Sequence, residues 1–176
     1  MSAISWEKVP GGITAVQGID AAGVHCGLRK NGSEDLALLY SRRPAAAAGV
    51  FTTNKFKAAP LHVTEKNLHH PVRAIVVNSG MANACTGARG LADALYTTEI
   101  AARKLNIRKE EVLVASTGVI GVYLPLEKIS HGVARAAQRL SPRGGAEAAR
   151  AILTTDTCSK ESACRVVAGE KSFCLG

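Results

Sequence analysis

The chain has 176 residues, of which 47% are hydrophobic and 20% are charged, so the composition indicates a globular domain and excludes a disordered segment. Its net charge is +8, but aromatic residues make up only 4%, and a base-stacking surface needs aromatic side chains among the basic ones. We therefore expect no nucleic-acid partner. The charge is also compatible with a positive field that attracts small carboxylate substrates.

In the first half of the chain, apolar runs and turn residues predict an antiparallel sheet. The dipeptide Asn31-Gly32 is typical of a hairpin turn, because it tolerates a positive φ at low cost. A polar loop over residues 52–60 separates the early strands from the later ones. The predicted extended segments are residues 13–26, 35–40, 61–64 and 72–77, with a further apolar run at 45–51.

In the second half, helical periodicity is the dominant signal. Three helices are predicted, at residues 91–105, from about Pro125 to Leu140, and at 146–153. The second helix has the clearest apolar face, formed by Leu126, Ile129, Val133 and Leu140. A buried strand is predicted at residues 112–115, and a terminal hairpin has its strands at 164–168 and 171–175.

The five cysteines include no CxxC pair, which argues against a disulfide framework and against a zinc site. We expect them to be small core residues in a reducing compartment. Residues 1–7 have neither a basic nor an apolar signal-peptide region, and no apolar run reaches the ~18 residues of a membrane span. We therefore expect no membrane contact and a cytoplasmic location.

Three segments rich in small hydroxyl and amide residues follow regular elements, at 78–87, 116–121 and 154–157. Because loops at element ends often converge, these turns predict a shared polar pocket. A strand that stops in Ser116-Thr117-Gly118 can present backbone N–H groups to a negatively charged oxygen, although an ordinary strand-to-helix turn also needs small residues. Asn78 and Asn83 could bind a ligand, but we favour hydrogen bonds to their own loop.

None of the three segments contains a histidine, so a Ser/His/Asp triad is not supported. The sequence also contains no Walker lysine motif, no GxGxxG after a strand and no paired-carboxylate arrangement. An acyl-transfer site in this chain would therefore need its base from elsewhere. An N-terminal amine that activates its own Thr side chain is one known solution.

Four segments make the chain resemble the N-terminal half of the ornithine acetyltransferase family, also called glutamate N-acetyltransferase, of arginine biosynthesis. They are GVFTTNKFKAAP at 49–60, VNSGMANACTG at 77–87, STGVIG at 116–121 and AILTTDT at 151–157. The resemblance covers nearly the whole sequence. Met81 stands where family members commonly carry Asn, so we assign no ligand role to that position.

The resemblance implies an α+β fold of the layered α/β/β/α sandwich type, to which this chain would contribute the N-terminal part. The family precursor cuts itself before a threonine, and the new N-terminal Thr of the β chain is the nucleophile, with its own amine as base. The acetyl group passes from N-acetylornithine to that Thr and then to glutamate. Residues 1–176 would then be a single α-chain domain, active only with the β chain in an α₂β₂ heterotetramer.

The resemblance also implies site residues. The hydroxyl of Thr117 and the backbone N–H of Gly118 would form an oxyanion hole, and Thr154 would contact substrate, or Thr155 if the alignment slips by one position. No metal and no cofactor are implied, whereas acetyl-CoA is an additional donor in bifunctional members. Two other classes remain open: a related N-terminal-nucleophile aminopeptidase and a non-catalytic small-molecule binding domain.

Overall fold

The computed structural model describes residues 4–176, so the first three residues of the N-terminal stretch lie outside it. Four α-helices and two sheets form this part of the chain, which confirms the predicted α+β class. The helices are α1 (Ala59–Asn67), α2 (Gly87–Leu105), α3 (Leu126–Arg139) and α4 (Gly145–Ala151). The strands are β1 (Ile4–Lys8), β2 (Ile19–Val24), β3 (Leu36–Ala45), β4 (Val72–Met81), β5 (Val112–Val119), β6 (Cys164–Ala168) and β7 (Lys171–Leu175).

The larger sheet has the order β2-β3-β4-β5 and carries the candidate site. Its first two pairings are antiparallel, and β4 pairs with β5 in parallel. Parallel neighbours need a crossover connection, and α2 supplies it between β4 and β5. The smaller sheet has the order β1-β6-β7, and β6 and β7 form the predicted terminal hairpin.

One face of the larger sheet carries the main hydrophobic core. Leu38 and Val76 of the sheet pack in one cluster with Ile129 and Val133 of α3. Ile129, Val133 and Ala136 are at most 1% exposed, so the apolar face predicted for this helix is confirmed. By contrast, α2 leaves Leu91 and Leu95 each 39% exposed, because Gly90, Ala94 and Ala101 form its packed side instead.

The opposite face of the sheet is covered only in part. Ala37 of β3 packs against Ala148 and Ala151 of α4 in a second, smaller cluster. Towards β5 this cover ends, so Ala115 is exposed and Thr117 is half-buried. One face of the sheet is therefore fully covered by other elements, and the other face is covered only in part.

Two predicted strands are wrong. Residues 61–64 lie in α1, and Pro60 occupies the first turn of that helix. Thr64 Oγ1 donates to Val114 O at 2.7 Å, so the β-branched residues at 63 and 64 belong to a helix that packs at the edge of the sheet. The apolar run at 45–51 continues β3 only as far as Ala45, after a register shift that begins at Tyr40. Beyond it the chain is irregular and largely exposed.

The expectation of buried cysteines is also wrong. Cys85 and Cys158 are exposed, and the other three cysteines are half-buried and free. Across residues 4–176, no group of three His, Cys, Asp or Glu side chains is placed to hold a metal ion. Each helix in the same range is too short or too polar to cross a membrane.

Two glycines allow α4 to lie close against β2. A Cβ atom on Gly144 would lie 1.8 Å from Ala21 O, and one on Gly23 would lie 2.1 Å from Glu147 O. We predict that Gly23→Ala lowers the free energy of unfolding of the full-length protein by about 3 kcal/mol, because overpacking against a backbone carbonyl cannot be relieved by a rotamer change. Urea unfolding measures this loss.

The matched control is Gly32→Ala. Gly32 has a φ of +77° and open space around its Cβ position, so this variant tests backbone strain without a clash. We expect it to lower the free energy of unfolding by about 1 kcal/mol. Equal losses in the two variants would show that close packing of α4 is not the constraint.

Candidate active site

A cleft of about 460 Å³ brings together residues from all three of the small-residue segments. Gly80 comes from the first segment, Gly118 from the second, and Thr154 and Thr155 from the third. The three segments therefore converge on one cleft, as predicted. A further wall of the cleft, formed by residues 28–31, was not anticipated.

The predicted turn at Ser116 is wrong, because β5 continues through Thr117 and Gly118. Parallel pairing with β4 extends over Ser79↔Thr117, Gly80↔Gly118 and Met81↔Val119. The chain turns only at residues 120–121. A Cβ atom on Gly118 would lie 2.3 Å from Gly80 C, and its φ is +126°, so only glycine fits here.

Side-chain alternation places the Thr117 side chain on the face covered by α4. Its register partner Ser79 points to that face, since Ser79 Oγ donates to Ala151 O at 2.5 Å. This bond joins β4 to the last residue of α4, shortly before Thr154. Thr117 is not itself among the residues that line the cleft, but its neighbour Gly118 is.

The direction of the Gly118 N–H group follows from the alternation of the β5 backbone. Val114 N donates to Thr64 Oγ1 at 3.0 Å, so at Val114 the β5 backbone faces away from β4. Val119 O instead accepts from Ala82 N, on the β4 side. Because alternate residues of a strand direct their N–H and C=O groups to opposite sides, continued alternation would place the Gly118 N–H on the side of β5 that faces away from β4, as at Val114.

Asn78 and Asn83 hold the backbone of their own segment, as favoured from the sequence. Asn78 Nδ2 donates to Met81 O at 2.8 Å, and its Oδ1 accepts from Ser116 Oγ at 2.6 Å. Asn83 Nδ2 donates to Gly90 O at 2.9 Å. These bonds hold the ends of β4 and β5 together and attach the following loop to α2.

The sequence interpretation missed Asp35, which fixes the loop wall of the cleft. Its carboxylate is fully buried and accepts backbone N–H bonds from Cys26 at 2.6 Å, Leu28 at 2.7 Å and Arg29 at 2.9 Å. Its backbone oxygen also accepts from Ser79 N at 2.8 Å. The available signal was an acidic residue at the start of an apolar strand, where an unpartnered charge would be costly.

Charge and burial set the protonation states of Asp35 and its neighbour Cys26. Burial acts to raise the pKa of Asp35, but the backbone hydrogen bonds from Cys26, Arg29 and Leu28 outweigh it and lower that pKa below its ordinary value. Burial raises the pKa of the Cys26 thiol well above its usual range, and the hydrogen bond and negative charge of Asp35 add to this effect. Cys26 is therefore a neutral thiol near pH 7, and it is a poor nucleophile.

We predict that Asp35→Asn lowers the free energy of unfolding by about 2 kcal/mol or more at pH 7, because hydrogen bonds to a charged group contribute about 1.5–3 kcal/mol each. The folded pKa of Asp35 is lowered, so its stabilising effect is complete above the unfolded pKa of about 4. The effect decreases as pH falls through the folded pKa. Urea unfolding at pH 7 and pH 3 should show a smaller wild-type advantage at pH 3.

Glu99→Gln is the control for this experiment, since Glu99 is an exposed carboxylate that pairs with Lys109 at 3.4 Å. We expect it to change stability by less than about 1 kcal/mol. A wild-type advantage over Asp35→Asn that grows on acidification would contradict the assignment of a lowered pKa.

The sequence profile of the ArgJ family matches residues 20–176. The chain belongs to the ArgJ family. It is 49% identical to the arginine biosynthesis bifunctional protein ArgJ of Symbiobacterium thermophilum over 97% of its own length and 43% of that relative. It is 51% identical to the ArgJ protein of Dehalococcoides mccartyi over 89% of its own length and 39% of that relative. The chain thus spans about two fifths of the length of these curated ArgJ relatives.

Solved ArgJ structures confirm the fold. The crystal structure of the bifunctional protein ArgJ from Bacillus halodurans matches 98% of this chain and 92% of the solved chain, with a TM-score of 0.91 and 36% identity. The structure of ornithine acetyltransferase from Mycobacterium tuberculosis, solved in complex with ornithine, matches 97% of this chain and 92% of that chain, with a TM-score of 0.89 and 39% identity.

Proposed function

We propose that this chain supplies the oxyanion-binding half of the active site of an ornithine acetyltransferase. The enzyme would move an acetyl group from N-acetylornithine to glutamate in arginine biosynthesis. The observation that carries this proposal is that Gly118 and Thr154, the positions that the family resemblance assigns to oxyanion stabilisation and substrate contact, line one cleft. Membership of the ArgJ family also supports it.

In the proposed mechanism, the N-terminal Thr of the β chain attacks the acetyl carbonyl carbon of N-acetylornithine, and its own amine takes the hydroxyl proton. The Thr117 hydroxyl and the Gly118 N–H donate to the oxygen that becomes negatively charged. The C–N bond then breaks, ornithine leaves with the proton, and an acetyl ester remains on the Thr. The amine of glutamate attacks that ester, and the same two donors stabilise the second tetrahedral intermediate. The ester C–O bond then breaks, the Thr oxygen takes back a proton, and N-acetylglutamate leaves.

The lining of the cleft supports the second chain of this proposal. Among the residues that the structure describes, those that line the cleft include no histidine and no carboxylate. The sheet face that carries Thr117 has an incomplete layer of cover, with Ala115 exposed. An apolar recess of about 300 Å³ beside Leu39 and Val77 lies on the same face. A second sheet, contributed by the β chain, would cover this face and complete a layered α/β/β/α sandwich. Two such pairs of chains would form the α₂β₂ heterotetramer.

The proposal includes a cytoplasmic location and a reaction that uses neither a metal nor a bound cofactor. Acetyl-CoA enters only as an alternative acetyl donor, and the relatives named bifunctional motivate its inclusion in the assay. Release of amino acids from short peptides without transfer to glutamate would replace the proposal with the aminopeptidase alternative.

We predict that the full-length protein, when purified, contains two polypeptides and that the second begins with Thr. Intact-mass spectrometry with N-terminal sequencing measures this directly. One unprocessed polypeptide with full acetyl-transfer activity would exclude the self-cleaving mechanism. No activity and no processing would favour the non-catalytic binding domain.

We predict that Thr117→Ala in the processed enzyme lowers kcat by about 10²–10³, the usual effect of removing one oxyanion donor. Thr117→Ser is the matched control, because it keeps the hydroxyl, and it should retain most of the activity. Rates of acetyl transfer from N-acetylornithine to glutamate, measured on assembled protein of each variant, provide the test. Equal rates in wild type and Thr117→Ala would remove Thr117 from the mechanism.

A further inference from the structure

A buried hydroxyl group on β4 has no part in the proposed acetyl-transfer steps. Ser79 is 0% exposed, and it lies on the same face of the strand as Val77. Val77 packs there with a cluster of alanines that includes Ala37 and Ala148. An alanine at position 79 would continue this pattern, whereas a buried hydroxyl lowers stability unless it is hydrogen-bonded. The hydroxyl of Ser79 therefore needs a physical explanation.

The partner of this hydroxyl is the end of a short helix. Ser79 Oγ donates to the backbone oxygen of Ala151, the last residue of α4, at 2.5 Å. The last carbonyl groups of a helix have no partner within it, and a helix of seven residues depends on tertiary contacts. Within residues 4–176, this is the only hydrogen bond that joins residues 145–157 to a strand of the larger sheet. Ser79 thus anchors the end of α4.

The anchored end of α4 leads directly to the cleft. Only Ile152 and Leu153 lie between Ala151 and Thr154. Because three residue steps span at most about 11 Å, a displacement of Ala151 is passed to Thr154 over a short stretch of chain. Thr154 lines the cleft together with Gly118. The position of Thr154 in the cleft therefore depends on the bond to Ser79.

Ser79 also joins the other two parts of the cleft. Its N–H group donates to Asp35 O at 2.8 Å, and the carboxylate of Asp35 holds the loop wall through backbone N–H groups. Its register partner on β5 is Thr117. One buried residue therefore connects the strand of the proposed oxyanion donors, the loop wall and the segment that carries Thr154.

We propose that Ser79 is a positioning residue for acetyl transfer, whose hydroxyl keeps Thr154 at a fixed distance from the oxyanion donors Thr117 and Gly118. This inference rests on the proposed function and adds to it a residue that contacts neither the substrate nor the reacting atoms. Because a misplacement of about 1 Å can lower a catalysed rate by about 10²-fold, a single bond that fixes Thr154 has a measurable effect on turnover.

The test is a double-mutant cycle in the processed full-length enzyme, with Ser79→Ala and Thr154→Ala made singly and together. We expect Ser79→Ala to lower kcat/KM for acetyl transfer from N-acetylornithine to glutamate about ten-fold or more. In the Thr154→Ala background the same substitution should lower kcat/KM by less than about two-fold, because its effect passes through Thr154. Ser79→Cys keeps a weak donor of similar size, so it should give an intermediate value.

The matched control is Thr97→Val, which removes another buried hydroxyl-to-carbonyl bond. Thr97 Oγ1 donates to Asp93 O at 2.9 Å within α2, and neither residue lines the cleft. We expect Ser79→Ala and Thr97→Val both to lower the Tm of the enzyme, because each removes a buried hydrogen bond. Thr97→Val should nevertheless leave kcat/KM unchanged in both backgrounds.

Equal losses of kcat/KM from Ser79→Ala in the two backgrounds would overturn the proposal. An equal loss in Thr97→Val would overturn it too, since it would assign the effect to stability alone. Loss of processing or assembly in both Ser79 variants would do the same, by making the bond a requirement for folding. An unchanged kcat/KM in Thr154→Ala would remove the residue through which Ser79 acts. A wild type without acetyl transfer would instead reject the proposed function itself.

Discussion

The close approach of two backbones at Gly80 and Gly118 is the constraint on which the candidate site depends. Parallel pairing of β4 with β5 continues through this point, and a Cβ atom on Gly118 would lie within 2.3 Å of the Gly80 backbone. Separation of the strands here would change the register that keeps Thr117 beside Ser79. The glycine is therefore needed for its missing side chain as well as for any N–H bond that it donates.

A second close approach brings the other part of the site. Gly23 and Gly144 allow α4 to lie against β2, and the bond from Ser79 Oγ to Ala151 O attaches its last turn to β4. Thr154 follows directly, so its position depends on how tightly α4 packs. Alanine and glycine on this face permit close packing of the two backbones. The layer ends before β5, where Ala115 is exposed.

The sequence predicted those elements whose signal is local. The 3.6-residue periodicity around Ile129 and Val133 identified α3, and the terminal hairpin followed from its turn residues. The extension of β5 to Val119 was not predictable locally, because it depends on pairing with a strand about 40 residues earlier. Residues 61–64 were misassigned because β-branched Val63 and Thr64 suit a strand in isolation, whereas Pro60 and packing against β5 favour a helix.

For the candidate site too, local features were predictable from the sequence and long-range contacts were not. Convergence of the three small-residue segments was predictable because each follows a regular element, and the cleft confirms it. The role of Asp35 was not predictable, because its partners are backbone groups of a loop whose path no local pattern specifies. The contribution of Arg29 and Lys30 to the lining of the cleft was missed for the same reason.

The protonation states of the groups beside the cleft are compatible with the proposed reaction between two chains. Two groups of the loop beside the cleft are unavailable as base or nucleophile, since Asp35 is a buried carboxylate that accepts three backbone N–H bonds and burial keeps the Cys26 thiol neutral. The lining of the cleft supplies hydrogen-bond donors and cations, which stabilise negative charge. In the proposed mechanism, a threonine whose own amine serves as base would supply the nucleophile without any titratable side chain from this chain. The described residues that line the cleft include no histidine and no carboxylate, which is compatible with the proposed division of charge stabilisation and nucleophilic attack between two polypeptides.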